Sequence, residues 1–485
     1  MKALTIIWIA LPLFIGFSIY LLPKIARYLA LGVAIFSLGY SLKVFNIDSL
    51  LEFQLLDNFG VILLIDNLSG FFILTNALVT LAVLFYCWQS DKTAFFYTQI
   101  IILHGSVNAT FICADFISLY VALEVISIAA FLLISYPRSD RSIWVGLRYL
   151  FVSNVAMLFY LVGSALVYQS HHSFSFVGLQ GSPPEAIALI FLGLLAKGGI
   201  FVSGLWLPLT HSESETPVSA MLSGVVVKAG VYPLIRCALM VSEVDPIVRI
   251  FGAGTALLGV GYAVFEKDSK RMLAFHTVSQ LGFILAAPEV GGFYALTHGL
   301  VKSALFLIAG ILPSRNLKEL KHIPINTPVW IALVMASFSI SGFPLLSGFG
   351  AKVLTMKNLL PWQVIAMNVA ALGTSISFAK FIFLPHGKTE NSKVTLGFWA
   401  AMTLLLSGLI LANGIYYEAY SIKNIIKPLI TIFLGWVAYH LFFKKAVVKL
   451  PRVSEEFNHL IGVMSLTLIF LLWLVLFPDI GLRIR

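Results

Sequence analysis

Leu119-Tyr-Val-Ala-Leu-Glu-Val-Ile-Ser-Ile-Ala-Ala130 sets a single carboxylate, Glu124, in an otherwise apolar run. The stretch around it reaches from residue 114 to residue 135, with no other acid nearer than Asp115. A helix needs about 20 mostly apolar residues to cross the hydrocarbon core of a bilayer. The stretch therefore reads as one membrane-spanning helix that carries an ionisable group.

The same length rule gives spans near 4–22, 26–45, 68–88, 95–113, 114–135, 145–168, 186–206, 218–239, 246–265 and 271–287. Others follow near 291–312, 327–347, 362–384, 395–415, 425–443 and 457–477. Two of these can be halves of broken or re-entrant helices. The expectation is an all-α polytopic integral membrane protein of about 14–16 transmembrane helices. Composition agrees: the 485 residues are 59% hydrophobic and 11% charged, with a mean hydropathy of +0.95. A soluble globular protein has about 45–50% apolar and about 25% charged residues. That excludes a water-soluble fold and a disordered or fibrous chain, and no polar stretch is long enough for a soluble domain. The first run, Ala3 to Leu22, lacks a small-residue cleavage signal and reads as a retained helix.

The net charge is +10, from 32 basic and 22 acidic residues. Its cause is read as the excess of Lys and Arg that holds loops on the cytoplasmic side, not as a nucleic-acid partner. If spans alternate, the loops after odd-numbered spans carry about eighteen basic residues, roughly twice the opposite side. They run from Lys24, Arg27 and Lys92 through Lys267, Arg315, Lys318 and Lys321 to Lys393, Lys444, Lys445 and Lys449. The opposite loops carry Asp48, Glu52, Asp57, Glu185, Glu243, Asp245 and Glu289. Both termini are then expected outside. Cys87, Cys113 and Cys237 show no paired spacing, so neither a disulfide framework nor a metal cluster is expected.

Two segments depart from plain apolar helices. One is Gly193-Leu-Leu-Ala-Lys-Gly-Gly-Ile200, followed by Trp206-Leu-Pro-Leu-Thr-His-Ser-Glu-Ser-Glu-Thr-Pro217. The other is Ser341-Gly-Phe-Pro-Leu-Leu-Ser-Gly-Phe-Gly350. Interrupted hydrophobic segments in two halves of a chain point to a binding or conduction site on broken helices; ordinary inter-helix loops are the alternative.

Several ionisable residues remain inside apolar segments: Glu124, Lys197, Lys228, Arg236, Lys302 and Lys380, with His104, His276 and His298. A basic residue at a helix centre costs roughly 2.5–3.5 kcal/mol, so such groups face the protein interior, pair, or meet water. The titration of Glu124 depends on where a basic partner sits, as a proton switch requires; a structural Glu–Lys tie is the bland alternative. Lys197 stands beside Gly198-Gly199 and Lys228 before Ala229-Gly230, where a loosened helix lets water reach an amine. Lys380 lies near the end of its span, a relay group or a side chain that snorkels to the interface. His298 and Lys302 are four apart and share a helix face, and an imidazole there can both accept and donate a proton. For His276 a contact between helices is favoured.

No phosphate-binding loop, dinucleotide fingerprint, His/Cys metal site, iron–sulfur pattern or nucleophile elbow is visible. No cofactor and no metal are expected, and the chain should move something small by protonation and hydration.

At this point the chain resembles a known family. The runs that carry the likeness are Asp66-Asn-Leu-Ser-Gly-Phe-Phe, Tyr120-Val-Ala-Leu-Glu-Val, Ala196-Lys-Gly-Gly and the segment from Trp206 to Gly224. Lys228-Ala-Gly-Val-Tyr, Lys270-Arg-Met-Leu-Ala-Phe-His-Thr-Val-Ser-Gln-Leu-Gly, the run from His298 to Gly310 and Ser341-Gly-Phe-Pro-Leu-Leu-Ser-Gly-Phe complete the set. In this order they resemble the proton-translocating, antiporter-like membrane subunits of Mrp-type Na+/H+ antiporters and of respiratory complex I, over roughly residues 60–385.

The resemblance implies two inverted five-helix repeats, 91–240 and 241–390, each with a broken helix, flanked by helices in 1–90 and 391–485. It implies that Glu124 is the essential glutamate, Lys197 the lysine of the first broken helix, Lys228 the connecting lysine and Lys380 the terminal one. His298 and Lys302 fall on the helix that links the halves, with Asp66, Arg148, His211 and His276 as secondary polar or access positions. The family's Asp-Ala-His after the Trp-Leu-Pro run is Leu209-Thr-His211 here, and Arg148 stands where lysine is usual. Those departures put the access route on that side in doubt.

The implied function is a proton-translocating subunit of a multi-subunit Mrp-type Na+/proton antiporter, partnered by other membrane subunits in a bacterial inner membrane. Its alternatives are a pump subunit of a complex I-type quinone oxidoreductase and a non-conducting scaffold. Unit charges about 4 Å apart at an effective dielectric near 20 interact by roughly 4 kcal/mol, enough for Glu124 to gate Lys197.

Overall fold

The computed structural model describes residues 1–47, 49–56, 60–388, 394–444, 448 and 450–477. Asp48, Asp57, Lys393, Lys445 and Lys449, counted among the loop charges, lie outside those residues. The chain begins with α1 (Lys2–Leu21) and α2 (Ala26–Val44), then a hairpin of β1 (Leu51–Gln54) and β2 (Ile62–Ile65). Next come α3 (Asn67–Tyr86), α4 (Ala94–Thr110), α5 (Phe116–Ile134), α6 (Asp140–His171), α7 (Pro184–Gly198), α8 (Leu207–Glu213), α9 (Thr216–Met221) and α10 (Lys228–Met240). The second half holds α11 (Asp245–Phe265), α12 (Ser269–Ala286), α13 (Gly291–Ala309), α14 (Thr327–Ser341), α15 (Ser347–Lys357) and α16 (Gln363–Ile382). It closes with α17 (Leu396–Asn413), α18 (Ile422–Ala438) and α19 (Phe457–Leu476).

Short polar residues start the helices where the chain meets the membrane surface. Asp66 accepts the Ser69 N–H at the head of α3, Asp115 that of Ser118 at α5, and Asp268 that of Arg271 at α12. Each satisfies one of the donors that the first helical turn leaves unpaired.

All sixteen apolar segments read from the sequence fall on helices. Among the described residues twelve helices are long and apolar enough to cross a bilayer, thirteen if the pair bent by 44° after Gly198 is one span. The expectation of about 14–16 spans exceeds this because α4, α12 and α14 are short or polar. Every residue of α12 is buried, Lys270, Arg271, His276 and Gln280 included. Enclosed by other helices, it has no lipid to face and needs no apolar belt. The peripheral α18 exposes most of its surface, whereas α13 and the span 216–240, apart from its last residues, are enclosed.

Bonds between connections reproduce the alternation of sides. At the basic end Lys92 pairs with Glu215 at 2.7 Å, Arg315 with Asp268 at 3.0 Å, and Arg271 with Glu455 at 2.7 Å. At the other end Asp115 accepts the Ile62 N–H at 2.8 Å, and Arg249 joins Asp245, Glu289 and the Asn358 carbonyl. The molecule is an integral multi-pass membrane protein.

Candidate functional site: a buried polar axis between two helix breaks

The first break follows α7. Gly199 caps that helix in the left-handed conformation (φ +71°) and Phe201 also has positive φ. Glycine fits the first position because it has no Cβ to clash there. The Trp206 indole N–H donates to the freed Ala196 carbonyl at 2.7 Å. Two residues before the cap, Lys197 is buried and its ammonium donates to the Leu123 carbonyl at 2.9 Å, the Ser153 hydroxyl at 2.6 Å and the Ser127 hydroxyl. Leu123 and Ser127 bracket Glu124 on α5.

Glu124 and Lys197 form no ion pair within 4 Å, and the buried Glu124 Oε1 accepts no hydrogen bond among the described residues. The expected close pair is open here, because neutral acceptors one residue before and three after the carboxylate hold the ammonium.

The axis continues through Leu222–Val226, a π-helical turn between α9 and α10. Such turns recur at functional sites because they free backbone carbonyls. Two of these carbonyls, Gly224 at 2.5 Å and Ser223 at 3.4 Å, accept from the Lys228 ammonium. Across the interface stands Gly299, next to His298; a Cβ there would lie 3.6 Å from Lys228 Nζ. The backbone of α13 thus reaches the amine closely. Both His298 ring nitrogens are buried without a partner among the described residues. One turn on, Lys302 donates to the Leu273 carbonyl of α12 and lies over the Phe306 ring at 5.2 Å.

Of the secondary positions, His211 and Phe306 have ring centroids 6.1 Å apart, so His211 and Lys302 share Phe306 as a neighbour. His276, three residues beyond Leu273, lies against Phe378 with ring centroids 4.7 Å apart and the rings tilted by 44°, and makes no hydrogen bond among the described residues. Its contact is aromatic rather than the hydrogen bond the sequence suggests. Arg148 donates to the Glu455 carbonyl in the segment before α19, at the basic end. Asp66 forms two bonds to Arg236, at 2.5 and 2.8 Å, with Ser69 and Tyr232 beside them. Burial pushes the Asp66 carboxyl up, and Arg236 and Ser69 more than offset it, leaving it below its ordinary value. His104, undecided from sequence, bonds Thr80 at 3.0 Å and Ser37 at 2.8 Å, a packing contact among the N-terminal helices.

Lys380 bonds to neither half of the second break among the described residues. Its ammonium donates to the carbonyls of Ala263 at 3.1 Å and Glu266 at 2.9 Å, at the basic end of α11. The lysine at the second break is Lys352, which sequence reasoning missed. Gly342 caps α14 with φ +85°, Leu345 has positive φ, and α15 restarts the helix with Lys352 inside it. The buried Lys352 ammonium has no hydrogen-bond partner among the described residues and faces the Phe283 ring at 5.5 Å. The signal was present. The second interrupted segment runs directly into Ala351-Lys352, but ending the span at 347 turned α15 into a connection.

Known proteins share this fold. The family model described as NADH:quinone oxidoreductase/Mrp antiporter, transmembrane, matches residues 113–377, more than half of the chain. A Na+/H+ antiporter protein of Alkalihalophilus pseudofirmus, itself one subunit of that antiporter, is 27% identical over 454 residues, which cover 84% of this chain and 91% of that protein. An NADH-quinone oxidoreductase subunit from Desulforudis audaxviator is 32% identical over 362 residues, 67% of this chain and 72% of that one. A chain of the membrane-bound sulfane sulfur reductase, an archaeal respiratory membrane complex, shares the fold with a TM-score of 0.77 at 20% identity. That match covers 91% of this chain and 100% of the other.

Proposed function

Because the chain belongs to the NADH:quinone oxidoreductase/Mrp antiporter membrane family, we propose that it is the proton-translocating subunit of a multi-subunit Mrp-type Na+/proton antiporter. Its relay runs from Glu124 through Lys197, Lys228, His298 and Lys302 to Lys352, with Lys380 at the basic surface. Residues 91–240 and 241–390 form two five-helix repeats. Each contains five spans, an odd number, so alternation sets the second upside down relative to the first. The membrane is a bacterial inner membrane, and the partners are other membrane subunits.

The observation that carries this reading is that the four amines Lys197, Lys228, Lys302 and Lys352 and the His298 imidazole are all buried, on helices at and between the two breaks. A buried ammonium that could be replaced by an apolar residue is costly to keep, and inside a membrane such groups mark ion and proton pathways. The chemistry is stepwise. Approach of the Glu124 carboxylate to the Lys197 ammonium holds a proton there, and its withdrawal releases that proton toward Lys228. At His298 one ring nitrogen accepts a proton while the other donates one.

The test is Na+-dependent proton flux in everted vesicles. Glu124→Gln should lower flux at least about a hundredfold, the scale of losing one positioned proton-transfer group, while the protein stays in the membrane. Wild-type flux in that variant sinks the relay.

A second reading has its own support in the 32% identity to a quinone oxidoreductase subunit. In it, redox partners drive the same relay. Purifying the tagged chain in mild detergent separates the two: small hydrophobic subunits alone favour the antiporter, iron–sulfur or flavin proteins the respiratory machine.

A further inference from the structure

Five lysines from four segments meet at the basic end. Lys267 comes from the α11–α12 connection, Lys318 and Lys321 from the α13–α14 connection, Lys380 from α16 and Lys444 from the turn after α18. They line one cleft with Glu266, and Val264, Phe265, Leu317, Tyr439 and Phe443 form its apolar wall. The lysines are held there by backbone. Leu317 N–H donates to the Lys267 carbonyl at 2.9 Å, which pins one connection to the other.

The positive charge of this cleft is not balanced by the protein around it. Among the described residues none of Lys267, Lys318, Lys321 and Lys444 makes an ion pair. Glu266 is already engaged by the N–H groups of Lys267 and Asp268 and by Arg271 and Arg452. Glu319 accepts from Ser314 and Asn316. Burial pushes the Lys321 ammonium below its ordinary value, and the nearby Lys444 and Lys318 push it the same way.

The cleft also lies where a lipid can reach it. It opens beside α18, the helix with the least buried surface among the spans, and Leu441 and Phe442 next to Phe443 are 67% and 68% exposed. Basic pockets between helices at the membrane surface are suited to anionic headgroups, and each lysine near the surface adds attraction.

We propose that this cleft binds the phosphate headgroup of an anionic phospholipid, whose acyl chains lie along the outer face of α18 past Leu441 and Phe442. Lys318, Lys321 and Lys444 supply the charge, and Tyr439 and Phe443 seat the glycerol region. The inference rests on the fold and the charge of the cleft, and it holds for either driving force of the transport.

The test uses the full-length chain, delipidated in mild detergent and offered phosphatidylglycerol or phosphatidylcholine with the same acyl chains, with bound lipid counted by native mass spectrometry. Wild type should retain phosphatidylglycerol in preference. The variant K318Q/K321Q/K444Q should lose about a hundredfold of that preference, whereas K318R/K321R/K444R keeps it. K423Q/K427Q, at the opposite end of α18, also keeps it. Undiminished preference in the glutamine variant overturns the proposal. Displacement of the lipid by an equal concentration of inorganic phosphate overturns it too, assigning the cleft to free phosphate. If the triple variant does not survive purification, each single glutamine substitution, with an expected loss of about fivefold, carries the same test.

Discussion

At the first break the Lys197 ammonium has three neutral acceptors, two of them hydroxyls that also bond each other. At the second, the Lys352 ammonium has none among the described residues. The hydroxyls of Ser337, Ser339 and Ser341 on α14 and of Ser347 and Thr355 on α15 are likewise buried without partners there. Both lysines sit beside a left-handed glycine, Gly199 or Gly342. The backbone device is therefore shared, and the side-chain surroundings differ. The first break grips its amine, while the second leaves both its amine and the hydroxyls of its two half-helices without partners among the described residues. In the proposed relay, a gripped ammonium would change charge when Glu124 moves, whereas an unbonded one would exchange its proton without first breaking bonds.

The sharpest way to break this comparison is to remove each amine. Lys197→Met and Lys352→Met should each lower proton flux in reconstituted vesicles at least about a hundredfold. Wild-type flux in Lys352→Met would reduce the second break to packing and end the parallel. Stability should then separate the two variants. Lys197→Met loses three bonds from a charged donor and should cost about 2 kcal/mol. Lys352→Met trades an unpaired buried ammonium for a thioether of similar length, and such exchanges are neutral or stabilising, so its change should stay within about 0.5 kcal/mol or favour the fold. Thermal melting of the two purified variants in the same detergent reads the difference. Equal losses would show that the surroundings of the two lysines do not differ in energy.

A smaller effect should come from the glycine caps. Gly342→Ala places a Cβ at positive φ, 2.8 Å from the Lys352 Cδ, so the backbone strains and the lysine stem must shift. The strain alone is worth about 1–2 kcal/mol. Gly199→Ala meets Leu207 Cδ1 at 2.6 Å, an apolar neighbour, so it should cost similar stability. Flux tells the two apart: Gly342→Ala displaces an amine of the relay and should slow transport more than Gly199→Ala, which displaces only a leucine.

The fold was legible because the lipid imposes it. All sixteen apolar runs fall on helices, and the connections that bond one another are those that the bias of Lys and Arg puts on one side. The buried ionisable groups of the first half were legible for the same reason, since Glu124, Lys197 and Lys228 are costly ions inside apolar sequence. What escaped was Lys352. A span rule of about 20 residues consumes α14 and the break together, and the 11-residue α15 left over looks like a loop. The resemblance instead put the terminal position at Lys380, near the end of a run of unambiguous helical length. Only the fold shows that its ammonium turns to the carbonyls at the end of α11. The open Glu124–Lys197 pair was equally hidden, because spacing places two residues on helices but says nothing of the serines that intercept one of them.

The smallest expected effect concerns the end of the second half, where Lys380 meets the backbone of Glu266. Burial raises the Glu266 carboxyl, yet the N–H groups of Lys267 and Asp268, with Arg271 and Arg452, leave it below its ordinary value. Its proton affinity is thus lower folded than unfolded, where a glutamate titrates near about 4.3. Between those two pKa values the unfolded chain binds more protons, so stability rises with pH there. The contribution is complete above about pH 5 and fades as pH falls through the folded value. Melting temperature in detergent should therefore drop on acidification below about pH 4, and Glu266→Gln should drop less steeply from a lower start. Since Lys380 donates to the Glu266 carbonyl rather than to its carboxylate, this substitution should leave the flux difference between Lys197→Met and Lys352→Met variants unchanged. A flux difference that collapses in the Glu266→Gln background would instead tie the clasp at the basic end to the second break, and the two breaks could no longer be treated as separate proton stations.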